Sequence, residues 1–206
     1  MPRNPQQNQQ MRLESRHKIL STAASLFSQK GFFNVRIAEI ARQAGMSPGN
    51  IYWYFTSKEE VLKAIIGDFF AAYENMLIRA ATLPGEARGK LIRLVELQIA
   101  LSIEYGDYFS VCMSIMGHGG PAYLKTLGFD SVEIGMRYQN HLSAILEGAI
   151  QVGMLPKRDP QVLAVFFFSF FNGLMITYGT DWHKLPSSLI VQAALGLLGF
   201  EEASKG

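Results

Sequence analysis

AGMSPGNIYWYFTSK, residues 44–58, predicts a turn followed by a short helix and the start of a second helix. Ser47 can cap the short helix, because its hydroxyl accepts one of the N–H groups that a first helical turn leaves unpaired. Pro48 then stands where a missing N–H costs nothing. Successive helix residues are rotated by about 100°, so the three aromatic residues 52–54 cannot all face one core. At least one of them is therefore exposed beside a helix N-terminus. An exposed aromatic residue at such a position is better suited to contact with a polyanion than to contact with water alone.

Helical spacing of apolar residues continues on both sides of this stretch, without strand-like alternation of any length. Ser57 with Glu60 has the spacing of a capping box, and Asp159 with Pro160 forms another cap-and-proline start. Asn34 is the candidate cap of the helix before the turn. The predicted helices cover residues 11–29, 36–43, 48–55, 57–81, 87–105, 108–116, 131–152, 160–178 and 186–198. The fold class is therefore all-α, with about nine helices.

The composition indicates a globular protein whose charge is unevenly distributed. Of the 206 residues, 49% are hydrophobic and 17% are charged, which supports a good-sized core. Residues 1–60 hold eight Lys/Arg against four Asp/Glu, a net charge of +4, whereas the remainder carries −2. A basic N-terminal part favours an anionic partner at that end, although a chance imbalance of a few charges would give the same numbers.

Cysteine content and the N-terminal residues indicate the compartment. The single cysteine, Cys112, excludes an intrachain disulfide and favours a reducing environment. Residues 1–10 are polar and Gln-rich, without the apolar core of a signal peptide. We therefore expect a disordered arm over residues 1–10 and a cytoplasmic location.

The second predicted helix, the turn and the third helix have the layout of a helix-turn-helix, whose second helix lies in the major groove of DNA. Asn50 is the best candidate for reading a base, since its amide can form two hydrogen bonds to adenine. The aromatic residues 52–54 can contact phosphate, sugar or thymine methyl groups. Lys58 lies at a helix start, where charge, unpaired N–H groups and the helix dipole all attract a phosphate. Ile51 and Phe55 are expected in the core.

Residues 16–62 resemble the TetR family of transcriptional regulators. The matching residues, in fixed spacing, are Arg16, Ile19, Leu20, Ala23, Ala24, Phe27, Gly31, Phe32, Ile40, Ala41, Ala44, Gly45, Ser47, Gly49, Ile51, Tyr52, Tyr54, Phe55, Ser57, Lys58, Glu59 and Leu62. The resemblance covers roughly the first third of the chain, and the rest is similar in helix layout only. It implies a DNA-binding N-terminal domain, a body that binds small molecules, and a homodimer formed by the last two helices.

The candidate DNA-binding residues follow from this resemblance and from the helix starts. The resemblance implies Gly49, Asn50, Tyr52, Trp53, Tyr54 and Lys58 as the DNA-facing set, and we add the helix cap Ser47. The chain departs from the family at Val35-Arg36, where Thr or Ser pairs are usual. Arg36 can replace their phosphate contact by its charge, so it completes the set.

Residues 160–180 contain no charged residue, and this length could span a bilayer. Polar residues such as Gln161 and Asn172 dilute its apolar character, however, and no Lys/Arg bias flanks it. A helix that is apolar nearly all round can instead be covered by its own chain on one side and a partner subunit on the other. We therefore expect a homodimer and no membrane partner. The candidate interface residues are Phe166, Phe170, Leu174, Leu189, Ala193 and Leu197.

The inner faces of helices four to eight are the candidate lining of a small-molecule cavity. Met and Cys side chains are soft and adaptable, and a few polar groups on apolar faces would orient a mostly apolar ligand. The candidates are Phe109, Cys112, Met113, Met116, Tyr138, His141, Phe167 and Asn172. The alternative is that the Met and Phe residues simply fill the core and that His141 is a satisfied core or surface histidine.

Residues 45–49 also match G-x-S-x-G, the nucleophile elbow of serine hydrolases, and residues 118–120 look like an oxyanion-hole segment. The elbow requires a strand before the serine and a backbone N–H after it, whereas a helix precedes Ser47 and Pro48 has no N–H. Residues 117–121 are therefore predicted to be a loop. The four histidines have no metal-ligand spacing, so we expect no metal. We also expect no cofactor, and without a working nucleophile elbow we expect no enzymatic activity.

These observations divide the chain into a disordered arm over 1–10, a helix-turn-helix domain over 11–58, and a helical effector-binding and dimerisation domain over 59–206. The hypothesis is a repressor that binds a palindromic operator as a homodimer and is released by a small, largely apolar effector. The alternative is a helical small-molecule-binding or membrane-associated protein that does not bind DNA.

Overall fold

All regular structure in the computed structural model, which describes residues 4–200, is helical. Within that range the α-helices are α1 Pro5–Lys30, α2 Ile37–Ala44, α3 Pro48–Tyr54, α4 Lys58–Ala81, α5 Ala87–Glu104, α6 Gly106–Thr126, α7 Ser131–Gln151, α8 Pro160–Tyr178 and α9 Ser187–Leu198. Short 3-10 helices at Phe32–Asn34 and Gly179–Lys184 were not predicted. The predicted all-α fold is confirmed.

Side-chain caps begin several helices where the sequence predicts them. Ser47 accepts a hydrogen bond from the backbone N–H three residues on (3.2 Å), and Asp159 from the N–H two residues on (2.8 Å). The Ser57 hydroxyl accepts from the N–H of Glu60 (3.1 Å). The Glu60 carboxylate in turn accepts from the backbone N–H and the hydroxyl of Thr56. These bonds satisfy N–H groups that a helix start would otherwise leave unpaired.

The N-terminal residues differ from the prediction, because residues 5–10 are helical rather than disordered. The Asn4 side chain accepts a hydrogen bond from the N–H of Gln6 (3.2 Å), and Pro5 occupies the first position of α1. A polar cap followed by proline is the same signal that begins α3 and α8. The Gln-rich composition of residues 1–10 favours disorder, whereas this local signal favours a helix start. Residues 1–3 of the predicted arm lie outside the described residues.

Residues 117–121 also differ from the prediction, since α6 continues through them instead of ending in a loop. The helix bends at Gly120 (φ 58°, ψ −157°) and then continues from Pro121. Such backbone angles are essentially restricted to glycine. Proline is tolerated after the bend, because the first position of a helical segment needs no N–H. One glycine and one proline therefore redirect a helix that the sequence alone predicts to stop.

The chain forms two compact units. The first comprises the residues up to Phe69 together with Asp107–Gly120, and the second comprises Phe70–Gly106 together with the chain from Pro121 onward. The division therefore falls within α4 and within α6, not at the start of α4 where the sequence analysis placed the domain boundary. The first part of α4 is core for the first unit, with buried Val61, Leu62, Ile65 and Ile66.

In the first unit, α1 packs against α2, and α2 packs against α3. Two ion pairs reinforce this apolar packing. Arg16 forms a forked pair with Asp68 on α4 (3.0 and 3.4 Å), and Lys30 pairs with Glu39 on α2. The buried side chains include Ile19, Leu20, Ala23, Ala24, Leu26, Phe27, Ile40, Ala41, Ile51 and Phe55.

In the second unit, α7 packs against α8, and α9 packs against α5 and α8. A chain of polar groups is buried in this unit. The Tyr73 hydroxyl donates to Gln98 (2.7 Å), whose amide donates to Ser102 (3.2 Å). The Tyr73 ring stacks on Tyr138 at 5.0 Å between centroids, and the Tyr138 hydroxyl donates to the carbonyl of Phe70 (2.7 Å). Burial, with Tyr138 as a smaller cause, raises the pKa of Tyr73, so its hydroxyl remains a donor.

Candidate functional site

The turn between α2 and α3 is built on a glycine in the left-handed conformation. Gly45 has φ 66° and ψ 35°, which would cost a residue with a side chain roughly 1–2 kcal/mol. Its N–H donates to Arg42 (3.2 Å), and the N–H of Met46 donates to Ala41 (2.8 Å). These bonds close α2 in the manner of a Schellman motif. The Ser47 cap begins α3 directly afterwards, and the predicted helix-turn-helix is thereby confirmed.

The helix α3 separates its residues into a core face and an outer face, as the sequence predicts. Ile51 and Phe55 are buried. Tyr52 and Trp53 are 54% and 59% exposed, and Tyr54 is half-buried. The residues at the start of α3 are exposed as well, namely Ser47, Pro48, Gly49 and Asn50. The outer face therefore offers an amide, a phenol and an indole N–H, the polar groups that suit phosphates and base edges.

Lys58 does not have the surroundings predicted for a phosphate-binding lysine. Its ammonium donates to the carbonyls of Phe32 (2.8 Å), Phe33 (3.4 Å) and Val35 (3.0 Å), and it lies 4.4 Å from the ring centroid of Phe32. An ammonium group has three N–H donors, and all three face carbonyls. In this structure Lys58 holds the 3-10 helix at Phe32–Asn34 in place. The sequence could not indicate this, because the carbonyls belong to a segment far from Lys58 in the chain.

The start of α2 also differs from the prediction. The N-cap residue is Arg36, whose side chain makes no capping bond, and the predicted cap Asn34 instead donates its amide N–H to the carbonyl of Lys30 (2.8 Å). Neither Arg36 nor Asn34 therefore caps the N–H groups in the first turn of α2. The exposed Arg36 and these N–H groups together form a cationic position beside the helix-turn-helix.

Several cations of the first unit remain available at its surface. Lys18, Arg36 and Arg42 are exposed and form no salt bridge within residues 4–200. The ammonium of Lys18 would lie 3.9 Å from a Cβ added at Gly45, so this lysine is next to the turn. The uneven charge of the sequence thus becomes a set of unpaired cations on the unit that carries α3.

Sequence reasoning missed Arg12. Its guanidinium carbon lies 4.3 Å from the centroid of the Trp53 ring, which makes it a cation–π neighbour of α3. The residues 8, 11, 12 and 15 follow helical spacing and could have indicated one face of α1. Nothing in the sequence, however, shows that this face lies beside the end of α3.

The predicted effector-pocket residues are divided between the two units. Phe109 and Cys112 of the first unit are buried and Met116 is half-buried, while Met113 is 37% exposed. Burial raises the pKa of Cys112 to about 12. Its thiol therefore stays protonated, which argues against a reactive thiolate.

In the second unit, Tyr138 and Phe167 are buried and His141 is half-buried, but Asn172 is exposed on α8. Asn172 and Met113 are thus the two predicted pocket residues that the single chain leaves exposed. Asn172 is exposed because one face of α8 packs against its own chain and Asn172 lies on the opposite face. Tyr73 and Gln98 are polar groups next to Tyr138 that the prediction of the pocket did not include.

The second unit also contains a cavity of about 620 Å³ that none of the predicted pocket residues lines. It lies between the end of α4, the start of α5 and the C-terminal half of α7. Its walls are mainly small or aliphatic, with Lys90 and Glu86 as its charged residues. Small side chains at Ala80, Ala144 and Gly148 leave this space between the helices.

The outward faces of α8 and α9 carry the residues predicted for a dimer interface. Phe166 and Leu189 are 45% and 54% exposed. Ala193 and Leu197 are exposed, and Phe170 and Leu174 are half-buried. Within residues 4–200, α8 is the helix whose length and composition would allow it to cross a membrane, and only 28% of its apolar window is buried. The chain itself therefore leaves most of this apolar surface uncovered.

Comparison with known proteins relates the first unit to one family of DNA-binding regulators. The family model described as bacterial regulatory proteins, tetR family, matches residues 19–65. The HTH-type transcriptional regulator HbdR of Aromatoleum sp. strain CIB is 39% identical over 66 residues, 32% of this chain and 29% of HbdR. RutR of Escherichia coli K12 is 31% identical over 148 residues, 70% of this chain and 66% of RutR. The chain covers only about a third of the length of HbdR and of two Bacillus subtilis regulators, between 29% and 35% of each.

Solved structures extend the similarity to the whole fold. The TetR-family regulator PfmR of Thermus thermophilus has a TM-score of 0.71 at 22% identity, over 90% of this chain and 99% of PfmR. A transcriptional regulator of Saccharomonospora viridis, solved in complex with choline, has a TM-score of 0.68 at 25% identity, over 92% of this chain and 99% of that one. HbdR and RutR are both HTH-type transcriptional regulators. Among the side chains that the structure describes, no group of three His, Cys, Asp or Glu could hold a metal ion.

Proposed function

The chain belongs to the TetR family of bacterial regulatory proteins, and we propose that it is a repressor that binds a palindromic DNA operator as a homodimer. The observation that carries the proposal is the orientation of α3. Its core residues are buried, and its polar and aromatic residues from 47 to 53 are exposed next to unpaired cations. We place its action in the bacterial cytoplasm, where its operator would be.

The proposed contacts divide into base readout and phosphate binding. Asn50 reads an adenine through its amide, and Gly49 lets the start of α3 approach the base edges closely. Tyr52 and Trp53 donate to phosphates or contact thymine methyl groups. Arg36 and the first N–H groups of α2 bind a phosphate electrostatically, while Tyr54 extends the outer surface. Because Lys58 already donates to three carbonyls, its contribution is to hold the neighbouring backbone.

The proposed homodimer would pair the apolar outer faces of α8 and α9. Phe166, Leu189 and Leu197 are exposed on these helices, and covering them with the same faces of a second copy removes apolar surface from water. A two-fold axis would then relate two copies of α3, the symmetry that a palindromic operator also has. Two half-sites about one helical turn of DNA apart, or a multiple of it, would match that symmetry.

We propose that an effector binds in the helical body and shifts the protein away from its DNA-binding conformation. Among the predicted pocket residues, Tyr138, His141 and Phe167 remain candidates, with Tyr73 and Gln98 as added polar partners. A small, largely apolar molecule with one polar group would suit this chemistry. The effector must bind the non-DNA conformation more tightly, since otherwise the equilibrium does not change. Choline, bound to one solved relative, belongs in the first set of ligands to test.

Selection of duplexes from random DNA tests the DNA-binding proposal. We expect a palindromic consensus whose affinity falls steeply with salt, because phosphate contacts release counterions. Asn50→Ala should weaken binding and relax the consensus at one position in each half-site, whereas Asn140→Ala on α7 makes the same chemical change away from α3 and should leave binding unchanged. No consensus, or a consensus that Asn50→Ala leaves intact, would overturn the assignment.

A thermal-shift screen followed by DNA release tests the effector proposal. An effector should raise the melting temperature and lower operator affinity together. Tyr138→Phe keeps the stacked ring but removes the hydroxyl, so it should weaken the response to effectors with a polar group. A ligand that stabilises the protein without changing DNA binding would contradict the proposed regulation. Binding to lipid vesicles without DNA binding would favour the alternative of a membrane-associated protein.

A further inference from the structure

An open groove of about 380 Å³ lies between the first turns of α1 and the end of α3. The side chains that line it are Asn8, Met11, Arg12, Ser15, Trp53 and Tyr54. The α1 residues follow the spacing i, i+3, i+4 and i+7, which places them on one face of the helix. This face exists because α1 begins at Pro5 with the Asn4 cap, six residues before its predicted start.

The charge of this groove comes from Arg12. Glu14 is the nearest acid in sequence, but it is about 200° around the helix from Arg12 and accepts a hydrogen bond from Gln10 (2.9 Å). Arg16 is held by Asp68. Arg12 is therefore the charged residue among those that line the groove, and its neighbours there are neutral.

The arrangement of Arg12 leaves its donors usable. The guanidinium carbon lies 4.3 Å from the centroid of the Trp53 ring, a cation–π contact that uses none of its N–H donors in a conventional hydrogen bond. The five N–H donors of a guanidinium point outward in its plane, where they match the oxygens of a phosphate. Asn8 and Ser15 add a neutral amide and a hydroxyl in the same groove. Such side chains are frequent partners of phosphates in protein–DNA interfaces.

We propose that this face of α1 binds the DNA backbone outside the segment that α3 reads, with Arg12 as its main phosphate contact. The inference rests on the proposed DNA-binding function and enlarges its footprint. The occupant is a phosphodiester backbone because the groove is cationic, borders the outer face of α3 through Trp53, and offers hydrogen-bond donors. Affinity for the flanking DNA is independent of its sequence, since these contacts do not reach base edges.

The test uses two duplexes that share the consensus selected by the wild-type protein. The short duplex ends at the outer edge of the consensus, and the long duplex extends it on both sides with unrelated sequence. The wild-type protein should bind the long duplex about tenfold more tightly, as expected for a charged hydrogen bond to phosphate. Arg12→Ala should remove this difference, and Arg12→Lys should keep part of it because the charge remains.

Two control variants separate the groove from general charge and from α1 itself. Arg79→Ala removes the same charge from an exposed position at the end of α4, and Gln6→Ala alters the opposite face of α1. Both should retain the preference for the long duplex. On the long duplex alone, Arg12→Ala should lower the dependence of log affinity on log salt by about one per subunit.

The outcomes distinguish this inference from the proposed function. An equal loss on both duplexes would overturn it, because Arg12 would then act only by orienting Trp53. An unchanged preference for the long duplex in Arg12→Ala would overturn it as well. Failure of both duplexes to bind the wild-type protein would overturn the proposed function itself. A circular dichroism spectrum like that of the wild type shows that Arg12→Ala still folds.

Discussion

The helices α3 and α8 both expose aromatic or large apolar residues, but the chemistry of those residues differs. Tyr52 and Trp53 on α3 each carry a hydrogen-bonding group at the ring edge, whereas Phe166 and Ile176 on α8 carry none. A phenol or an indole N–H can remain in a wet interface with phosphates. A phenyl or aliphatic side chain gains free energy only when water is removed. Comparable exposure is therefore consistent with the two different partners proposed above, DNA for α3 and a second apolar surface for α8.

The surroundings of the two helices strengthen this contrast. Lys18, Arg36 and Arg42 are exposed on the unit that carries α3, while residues 160–178 contain no charged residue. Unpaired cations attract a polyanion over a distance, but they would be costly in a dry interface. The two surfaces can therefore be altered separately, and each prediction below changes one of them while a control changes the other or a neutral position.

The largest effect is expected for Phe166→Glu, which places an unpaired carboxylate on the apolar face of α8. Burying such a charge costs about 3–5 kcal/mol, so the dimer dissociation constant should rise by a factor of about 100 or more. Val132→Glu adds the same charge at an exposed apolar residue of α7 and should leave the dimer intact. Sedimentation velocity over a concentration series measures both. A dimer unchanged by Phe166→Glu would remove α8 from the interface.

Tyr52→Phe deletes only the polar edge of an exposed ring on α3. If its hydroxyl binds phosphate, operator affinity should fall about 10- to 100-fold, the range for a hydrogen bond to a charged group. Tyr178→Phe makes the identical change at an exposed tyrosine at the end of α8 and should have no effect on DNA binding. Fluorescence anisotropy with the selected operator compares the two. Similar losses for both variants would abolish the distinction between the helices.

Lys58→Met tests whether Lys58 acts within the protein or on DNA. Removing donors to three carbonyls should lower the free energy of unfolding by about 1–2 kcal/mol. The salt dependence of operator binding should stay the same, because no phosphate contact is lost. Lys63→Met changes an exposed lysine of the same helix and should leave stability near that of the wild type. A reduced salt dependence with unchanged stability would restore the phosphate role predicted from the sequence.

Gly45→Ala tests the turn that positions α3. A Cβ at φ 66° should lower the free energy of unfolding by about 1 kcal/mol. Gly148→Ala, in the last turn of α7 with no atom beyond the neighbouring helix backbone within 4 Å of the added carbon, should raise it by about 0.5–1 kcal/mol. Urea unfolding monitored by circular dichroism gives both values. Equal effects of the same sign would show that the left-handed turn carries no special cost.

The smallest effect concerns pH. The backbone N–H of Thr56, followed by its hydroxyl, donates to the Glu60 carboxylate and lowers the pKa of Glu60. A lowered folded-state pKa contributes stability that is present above the unfolded value of about 4.3 and is lost as pH falls through the folded value. Glu60→Gln should therefore flatten the acid side of a plot of melting temperature against pH, below about pH 5. Glu59→Gln, at an exposed neighbour, should leave that slope unchanged.

Residues close in sequence determined much of the first unit. The cap at Ser47, the turn at Gly45 and the burial of Ile51 and Phe55 all agree with the prediction. Each depends on hydrogen bonds or on helical periodicity within a few residues, so the sequence carries the whole signal. The same holds for the cap at Asp159 and the start of α8. The Asn4 cap followed by Pro5 at the start of α1 is a local signal of the same kind.

Other features were decided only by tertiary structure. Lys58 donates to carbonyls that precede it by 23 to 26 residues. Tyr73, Gln98 and Tyr138 form one polar cluster from three helices, and Arg12 reaches Trp53 from the start of α1. The local sequence shows which hydrogen-bonding groups a residue carries. It does not show which distant residue will lie within hydrogen-bond distance of them. That partner is selected by the packing of whole helices, whose apolar contacts are not directional.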